Sequence, residues 1–324
     1  MKTIPCDAIE FQKRFGTEEH CEQFLFELRW PKGFICPNCQ HDDGTFISTR
    51  RLYQCQLCKQ QTSVTAGTIF HRTHLPLVCW FWIIFQITHD RGGASATRLA
   101  SQLQRPYKTI WHVLHKLRHA MGSRDEGIRL GGTIEFDEAM LGPEARRPTR
   151  EEGIAREAGR KVPSKKPWGR KGGKGQRRKE VVEVFVVAEA EHFHIGSVAM
   201  KVADRVDCHS VEEFAEQISE PGQYYCTDSR QAHWMLRYMG HKFRATKSAI
   251  KPYVESLPVV HRVISLLKHF LMGTYYGVST KHLASYLHEF CFRFIRREKE
   301  SSMHESLLRA CLFTVPMTYA ELKS

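Results

Sequence analysis

The chain has 324 residues, enough for two or three compact units, and 42% of them are hydrophobic, as in ordinary globular proteins. Its formal net charge of +13 and its pI near 9.3 favour a polyanionic partner, DNA or RNA rather than a membrane. No apolar run approaches the roughly 18 residues of a membrane span, and residues 1–10 lack an apolar signal core, so we expect a cytoplasmic protein.

Residues 1–30 are predicted to be helical, and two Cys-x-x-Cys pairs follow them. The pairs are Cys36 with Cys39 and Cys55 with Cys58, and the fifteen residues between them alternate as a small β-ribbon would. Two such knuckles on one ribbon place four thiolates around one Zn²⁺. The alternative, two redox pairs or unrelated cysteines, fits the matched spacing less well. The sequence therefore predicts a zinc ribbon.

Residues 75–121 are predicted to be helical, with a helix-turn-helix pattern in their middle. One helix spans residues 95–103, residues 104–106 break it, and a second helix spans residues 107–118. Such a hairpin is either a packing unit or a DNA-binding element, and the positive net charge favours DNA. In the DNA-binding interpretation, the recognition helix begins with Tyr107, Lys108, Thr109 and His112.

A strongly basic segment follows a predicted strand at residues 131–141. Residues 144–180 hold fourteen Lys or Arg against five Glu, with Pro and Gly throughout, and cannot bury enough apolar surface to form a core. The segment is either a solvated loop or an arm that binds the DNA backbone. We favour the arm, because it follows closely on Asp137, the first acidic residue of the predicted site. Its expected DNA contacts include Arg170, Lys171, Arg177 and Arg178.

Residues 181–298 alternate between predicted strands and helices. The strands are residues 181–189, 194–202, 223–227 and 242–245, with a turn at residues 190–193. The helices are residues 211–218, 231–239, 259–270 and 280–298. This order predicts an α/β (mixed α+β) fold, in which a mixed sheet is flanked by helices and carboxylates converge at neighbouring strand ends.

Two aspartates end short β-branched or aromatic runs, and a later helix adds two polar side chains. Asp137 and Asp228 are both predicted to lie at strand ends. His261 and Lys268 are seven residues apart, so they lie two turns apart on nearly the same helix face. Carboxylates on rigid elements hold one or two divalent ions against a phosphodiester and activate the attacking water or hydroxyl. The pattern predicts a metal-dependent phosphoryl-transfer site of ribonuclease H type.

With these motifs, the chain resembles the bacterial insertion-sequence transposases of the IS1595 (ISXO2-like) family over residues 11–297. The matching motifs are the zinc ribbon, the helix-turn-helix and residues 135–142, 227–228, 265–268, 273–279 and 286–297. The resemblance implies a ribonuclease H-like catalytic domain of the DDE type. The expected division is residues 1–70 for N-terminal helices and zinc ribbon, 71–128 for the helix-turn-helix region, 129–300 for the catalytic domain with its basic insertion, and 301–324 for a C-terminal tail.

The resemblance also implies roles for the site residues. Asp137 and Asp228 correspond to the first two metal ligands, and Lys268 to a basic residue that contacts DNA phosphate. His261 stands where the family usually has an acidic or amide residue. Either His261 is a working third ligand, which would weaken binding of Mg²⁺ relative to Mn²⁺, or the third acidic ligand has been lost and this copy of the transposase is inactive. We favour the working ligand. Other departures from the family pattern are Pro258, Ile264 and Ile295.

Two glutamates near these residues are further candidate ligands. Glu255, six residues before His261, is a substitute third carboxylate, but a solvated glutamate at a helix start explains it better. Glu138 directly follows Asp137 and would point to the opposite face of a continuous strand, so we do not expect it to bind the ion directly.

By this resemblance, we expect a DNA transposase that binds the terminal inverted repeats of its insertion sequence and catalyses strand cleavage and strand transfer. It would use Mg²⁺ or Mn²⁺ at the catalytic site and Zn²⁺ in the ribbon, and would act at the bacterial nucleoid. Its expected partners are the double-stranded DNA of the element ends and target, and further copies of itself in a homodimer or larger assembly. The alternatives are a catalytically inactive DNA-binding regulator and a metal-dependent host nuclease.

Deleting residues 146–179 tests the basic arm. Fewer counterions would be released on binding, so affinity should fall similarly for all DNA sequences and its dependence on salt should become shallower. Binding of element-end DNA and of unrelated DNA, each measured at several salt concentrations, provides the comparison. An unchanged salt slope after the deletion would rule out the arm.

Overall fold

The computed structural model describes residues 7–90, 92–141, 182–191, 194–228, 230–246, 257–275, 277–298 and 300–323. The basic segment, with Arg170, Lys171, Arg177 and Arg178, and the glutamate Glu255 lie outside these ranges. The chain divides into two compact units. The first comprises Met1–Arg129, Gly273–Tyr275 and Ala284–Ser324, and the second comprises Leu130–Met272 and Tyr276–Leu283. Within the described ranges, no helix combines the length and apolarity that crossing a membrane requires.

The described residues form helices and strands in both units. The helices are α1 (Ala8–Phe15), α2 (Glu18–Arg29), α3 (Leu77–His89), α4 (Ala96–Leu103), α5 (Tyr107–Asp125), α6 (Cys208–Ile218), α7 (Met235–Tyr238), α8 (Pro258–Gly273), α9 (Leu283–Ile295), α10 (Glu300–Phe313) and α11 (Tyr319–Lys323). Short 3₁₀ turns at Gln231–Trp234 and Thr280–His282 precede α7 and α9. The strands are β1 (Gly44–Ile47), β2 (Leu52–Cys55), β3 (Gln61–Thr62), β4 (Thr133–Leu141), β5 (Val182–Glu191), β6 (His194–Ala203), β7 (Tyr224–Asp228) and β8 (Lys242–Thr246).

The first unit begins with two capped helices and a small antiparallel sheet. Asp7 accepts a hydrogen bond from the Ile9 N–H at the start of α1, and Thr17 accepts one from the His20 N–H in α2. The sheet has the order β1-β2-β3, with antiparallel pairing throughout. The helices and the ribbon that the sequence predicts are therefore both present.

The predicted helical hairpin is also present, as α4 and α5. Ser95 accepts from the Arg98 N–H and begins α4. Gln104 adopts left-handed backbone with φ of 50°, and Pro106 directly precedes α5, so the chain turns between the helices. The hairpin is confirmed as structure, and DNA binding by it stays a prediction.

Residues 301–324, predicted to form a C-terminal tail, instead include a core helix of the first unit. Met303, Leu307, Leu308 and Cys311 of α10 are all buried in the same hydrophobic cluster as α1, α2, α3 and α5. These apolar side chains recur every three or four residues and form one face of the helix. The structure thus ends the second unit before residue 300 and assigns the last helices to the first unit.

A buried ion pair lies inside the first unit, between α5 and α9. Arg118 Nε donates to Glu289 at 2.7 Å, and the two side chains are only 1% and 0% exposed. Tyr275 donates its hydroxyl to the other Glu289 oxygen at 2.9 Å, and the Arg118 guanidinium lies 4.0 Å from the ring centre of Tyr286. Because a buried charge is costly unless it is paired and hydrogen-bonded, these residues depend on one another.

The second unit is built on a five-stranded mixed sheet with the order β6-β5-β4-β7-β8. β4 pairs antiparallel with β5, and β5 with β6, whereas β4–β7 and β7–β8 are parallel. One face is covered by a hydrophobic cluster to which α6 contributes Val211, Phe214, Ala215 and Ile218. The predicted mixed sheet flanked by helices is confirmed.

Most element boundaries in this part of the chain differ from the prediction by one to three residues, and three of the differences have a visible cause or change the type of element. The turn predicted at residues 190–193 is shorter in the structure. Glu191 pairs with His194, so strand β5 extends past residue 189. Helix α8 begins one residue early at Pro258, since proline suits the first turn, where its missing N–H has no helical partner. The predicted helix at residues 280–298 starts as a 3₁₀ turn, and its α-helical part ends at Ile295.

Candidate active site and zinc centre

The four cysteines of the ribbon converge in the first unit. The Sγ atoms of Cys36 and Cys58 lie 3.6 Å apart, and those of Cys39 and Cys55 lie 3.5 Å apart. All four Sγ atoms are within 4.8 Å of one another. Four thiolates at the usual zinc–sulfur distance of about 2.3 Å form a tetrahedron with edges of about 3.8 Å. The observed spacing therefore fits one Zn²⁺.

The two cysteine pairs have matching backbone turns. Gln40 donates its N–H to the Cys36 carbonyl, and Lys59 donates its N–H to the Cys55 carbonyl. Gln40 and Lys59 both have left-handed backbone, with φ of 61° and 59°. The Gln60 N–H, which points at the sulfur of Cys58, lowers the pKa of that thiol to about 6. Against the lowering effect of the His41 N–H, burial and the neighbouring thiols raise the pKa of Cys39. The knuckles thus bring one thiol close to the thiolate form that binds metal, and a bound ion would stabilise the thiolates of all four.

Asp137 and His261 meet in the second unit. His261 Nε2 lies 3.1 Å from Oδ2 of Asp137. Burial raises the pKa of the Asp137 carboxyl above its ordinary value, and the neighbouring carboxylates of Glu138 and Asp228 raise it further, against the lowering effects of His261 and the Glu138 N–H. A carboxylate in this setting gains from a nearby cation. Its surroundings therefore fit a divalent ion, for which Asp137 offers hard oxygen ligands.

The position of His261 depends on Glu135, which is 7% exposed. Oε2 of Glu135 accepts a hydrogen bond of 2.8 Å from the Val260 N–H, in the first turn of α8. Side chains alternate along β4, so Glu135 and Asp137 share the face opposite to the apolar Ile134. The hydrogen bond therefore holds the start of α8 over this face and brings His261 to Asp137.

Asp137 and Asp228 are neighbours on adjacent parallel strands. Phe136 of β4 pairs with Thr227 of β7, so the two aspartates occupy the next position on each strand. This neighbourhood agrees with the effect of Asp228 on the pKa of Asp137. Lys268 lies in the same helix as His261, about 10 Å further along its axis, and is half-buried.

A second polar cluster surrounds His233, which is fully buried in the second unit. Its Nε2 lies 2.8 Å from Oε1 of Glu138, and its Nδ1 lies 3.0 Å from Oδ1 of Asp228. The angle at Nδ1 does not suit a hydrogen bond, so only the Glu138 contact counts as one. Arg230 lies 3.5 Å from Glu138, 3.6 Å from Glu183 and 3.9 Å from Asp228. Each carboxylate of this cluster therefore already has an arginine or a histidine side chain beside it.

The structure therefore brings the predicted site together in two parts. Among the described residues, the acidic and histidine ligand atoms that lie within 4.8 Å of one another belong to Glu138, Asp228 and His233. Asp137 and His261 form a separate pair beside them. Glu138 belongs to that group and contacts His233, although it was not expected to bind the ion directly. His233 was not singled out in the sequence, although its place five residues after Asp228, in a predicted helix, was a usable signal.

The predicted DNA-contacting residues of α5 differ in exposure. Tyr107 is 52% exposed, and Lys108 and Thr109 are also exposed. His112 is instead half-buried, with its ring 5.2 Å from that of Tyr319, and burial lowers its pKa. The first turn of α5 is thus more accessible to a partner than His112.

Two sequence comparisons agree with this geometry. Residues 129–294, just over half of the chain, match the ISXO2-like transposase domain, and residues 16–61 match the transposase zinc-ribbon domain. A protein described as "Uncharacterized protein in transposable element ISH50", from Halobacterium salinarum, is 24% identical over 185 residues. The alignment covers 55% of this chain and 56% of that relative, so the chain spans about half the length of the curated relative it matches.

The zinc centre predicts the metal content of the purified protein. Elemental analysis should find about one zinc per chain, and Cys36→Ser should lose it, because three thiolates cannot complete the closed site. Cys208→Ser is the matched control, since Cys208 is an exposed cysteine outside the cluster. Folded full-length protein without zinc would contradict the assignment.

The Glu135 contact predicts local protection at the start of α8. Glu135→Ala should speed hydrogen exchange of the Val260 amide and lower the free energy of unfolding by about 1–3 kcal/mol, since the amide loses a buried acceptor. Glu183→Ala is the control, because Glu183 contacts Arg230. Hydrogen exchange of the first turn of α8 that is the same in both variants would refute the role given to Glu135.

Proposed function

The chain belongs to the IS1595 (ISXO2-like) transposase family, and we propose that it is an active DNA transposase that cuts the ends of its insertion sequence and joins them to target DNA. The observation that carries the proposal is the adjacency of Asp137 and Asp228 on parallel strands, with His261 in contact with Asp137. A host nuclease would need the same carboxylates, but it would not join the ends it cuts.

The catalytic ion would be held by Asp137, Asp228 and His261. Bound there, one or two divalent ions would polarise the scissile phosphodiester and lower the pKa of the attacking water or 3′-hydroxyl. An imidazole ligand is softer than a carboxylate, so this set should favour Mn²⁺ over Mg²⁺ more than three carboxylates would. The pairing of His261 with Asp137 supports the working-ligand interpretation over the decayed copy.

The remaining polar residues would position the reacting groups. Lys268, further along the same face of α8, would bind a DNA phosphate as a point charge. His233 and Arg230 flank the carboxylate of Asp228, at 3.0 Å and 3.9 Å, and would limit the space into which it can move. Glu135 sets the start of α8 and so the position of His261. Catalysis of phosphoryl transfer depends mainly on such positioning and on charge stabilisation.

DNA recognition would use the first unit and the basic arm. The exposed first turn of α5, with Tyr107, Lys108 and Thr109, suits entry into a major groove, and His112 would support this helix from a half-buried position. Arg170, Lys171, Arg177 and Arg178 of the arm would bind the backbone without reading sequence. Because two element ends must be cut and joined together, we propose a homodimer or larger assembly.

Cleavage of DNA that carries the inverted repeats flanking the gene tests this function. Asp137→Ala and Asp228→Ala should each lower strand cleavage on the order of a thousandfold while binding of the ends persists, because only the ligand set is lost. His261→Ala should be nearly as damaging, and His261→Glu should keep or improve activity with Mg²⁺. His269→Ala, an exposed histidine on the same helix, is the matched control.

The outcomes separate the rival functions. Wild-type protein that binds the ends but never cleaves with any divalent metal would identify an inactive regulator. Cleavage of unrelated DNA without joining would identify a nuclease. The role of His261 is falsified if His261→Ala cleaves as well as wild type.

A further inference from the structure

A cavity of about 520 Å³ lies in the second unit, beside the edge strand β8. Its lining consists of Trp234, Arg237, His241, Lys242, Phe243 and Ala245. We propose that this cavity binds one unpaired nucleotide of the DNA substrate, with its base against Trp234 and its phosphate at Arg237 and Lys242. The inference rests on the proposed function, which supplies the DNA, and adds a site that the catalytic residues do not include.

The aromatic lining is arranged for stacking on one side only. Trp234 is 48% exposed, although tryptophan is usually among the well-buried residues. Its ring centre lies 6.2 Å from that of Phe243, and the two planes are tilted by 54°. A flat base therefore cannot lie parallel to both rings. It would stack on the open face of Trp234, with Phe243 as the wall of the cavity.

The charges of the lining suit a phosphate. Arg237 and Lys242 are both exposed, and none of the six lining residues is acidic. A single phosphate bound between them would form a charge-assisted hydrogen bond with Arg237 or with Lys242. The lining thus combines an aromatic surface with positive charge, the combination by which proteins bind single-stranded nucleic acid.

A buried histidine adds a group for the edge of a base. His241 is 6% exposed, and its Nδ1 is buried without a hydrogen-bond partner among the described residues. Buried polar atoms are almost always paired, and an unpaired one is costly. Because His241 lines the cavity, rotation of its ring toward a bound base would give this atom the partner it lacks.

The position of the cavity points to a nucleotide close to the cleaved bond. Trp234 directly follows His233, which contacts Glu138 and Asp228. The other wall is β8, whose lining residues Phe243 and Ala245 pair with Tyr225 and Thr227 of β7, so the cavity opens on the sheet face of His233 and not on that of Asp137. A base inside a duplex cannot reach such a cavity and must leave the stack first. We therefore assign the cavity to an unpaired base that flanks the cleavage site.

The experiment uses the full-length protein and element-end DNA with 2-aminopurine placed in turn at the positions that flank the cleavage site. At one position the fluorescence should change on binding, as the base leaves the stack and meets Trp234. Trp234→Ala should abolish this change and weaken binding to ends with an unpaired flank by about tenfold relative to fully paired ends. Trp234→Phe should restore most of both effects.

Tyr238→Ala is the matched control, because Tyr238 is 83% exposed, lies four residues after Trp234 and is not part of the lining. Asp137→Ala should keep the fluorescence change, since it removes a proposed metal ligand and leaves the cavity intact.

If wild type cleaves ends but Trp234→Ala gives the same fluorescence and affinity as Tyr238→Ala, the cavity proposal is overturned and the proposed transposase function stands. If Arg237→Gln weakens binding of fully paired ends and of ends with an unpaired flank equally, while Trp234→Ala changes neither affinity, the cavity only contacts phosphates of the DNA duplex and the proposal is overturned. If wild type neither binds nor cleaves the ends, both proposals fail.

Discussion

The arrangement of Asp137 and His261 depends on a buried hydrogen bond, from the Val260 N–H to the carboxylate of Glu135. The first amides of a helix have no partner inside the helix, and the positive end of its dipole attracts an anion. A buried glutamate in turn needs donors to offset its loss of hydration. Each group therefore supplies what the other lacks. Because the contact joins β4 to α8, it also decides where His261 stands relative to Asp137.

Because side chains alternate along β4, its acidic residues lie on two different faces of the sheet and have different partners. Glu135 and Asp137 lie on the face where α8 begins, and Glu138 lies on the other, where it contacts buried His233. Asp228, at the end of β7, is close to both groups. One face therefore keeps a carboxylate whose pKa is raised by burial and which gains from a bound cation. On the other face, the Arg230 guanidinium provides balancing charge and the His233 imidazole provides a hydrogen-bond partner.

The first unit is stabilised by a cysteine cluster and by a buried ion pair. Its ribbon is too small for a core of its own, and four converging thiolates provide a closed site for one metal ion. Its helices enclose the Arg118–Glu289 pair, which accounts for the glutamate of the family motif at residues 286–297. That motif is distant in the chain from the carboxylates, and its glutamate serves packing within the helical unit.

The sequence by itself predicted the cysteine cluster of the ribbon, the helical hairpin, the mixed sheet and the strand-end positions of Asp137 and Asp228, because each rests on local spacing or on periodicity of two or 3.6 residues. Cys36, Cys39, Cys55 and Cys58 could be found in this way since metal geometry restricts their spacing directly. Only the tertiary structure decided which charged side chains meet. The contact of His233 with Glu138, the capping of α8 by Glu135 and the burial of α10 join residues far apart in the chain. Such contacts depend on how elements pack in three dimensions, and no local pattern encodes that packing.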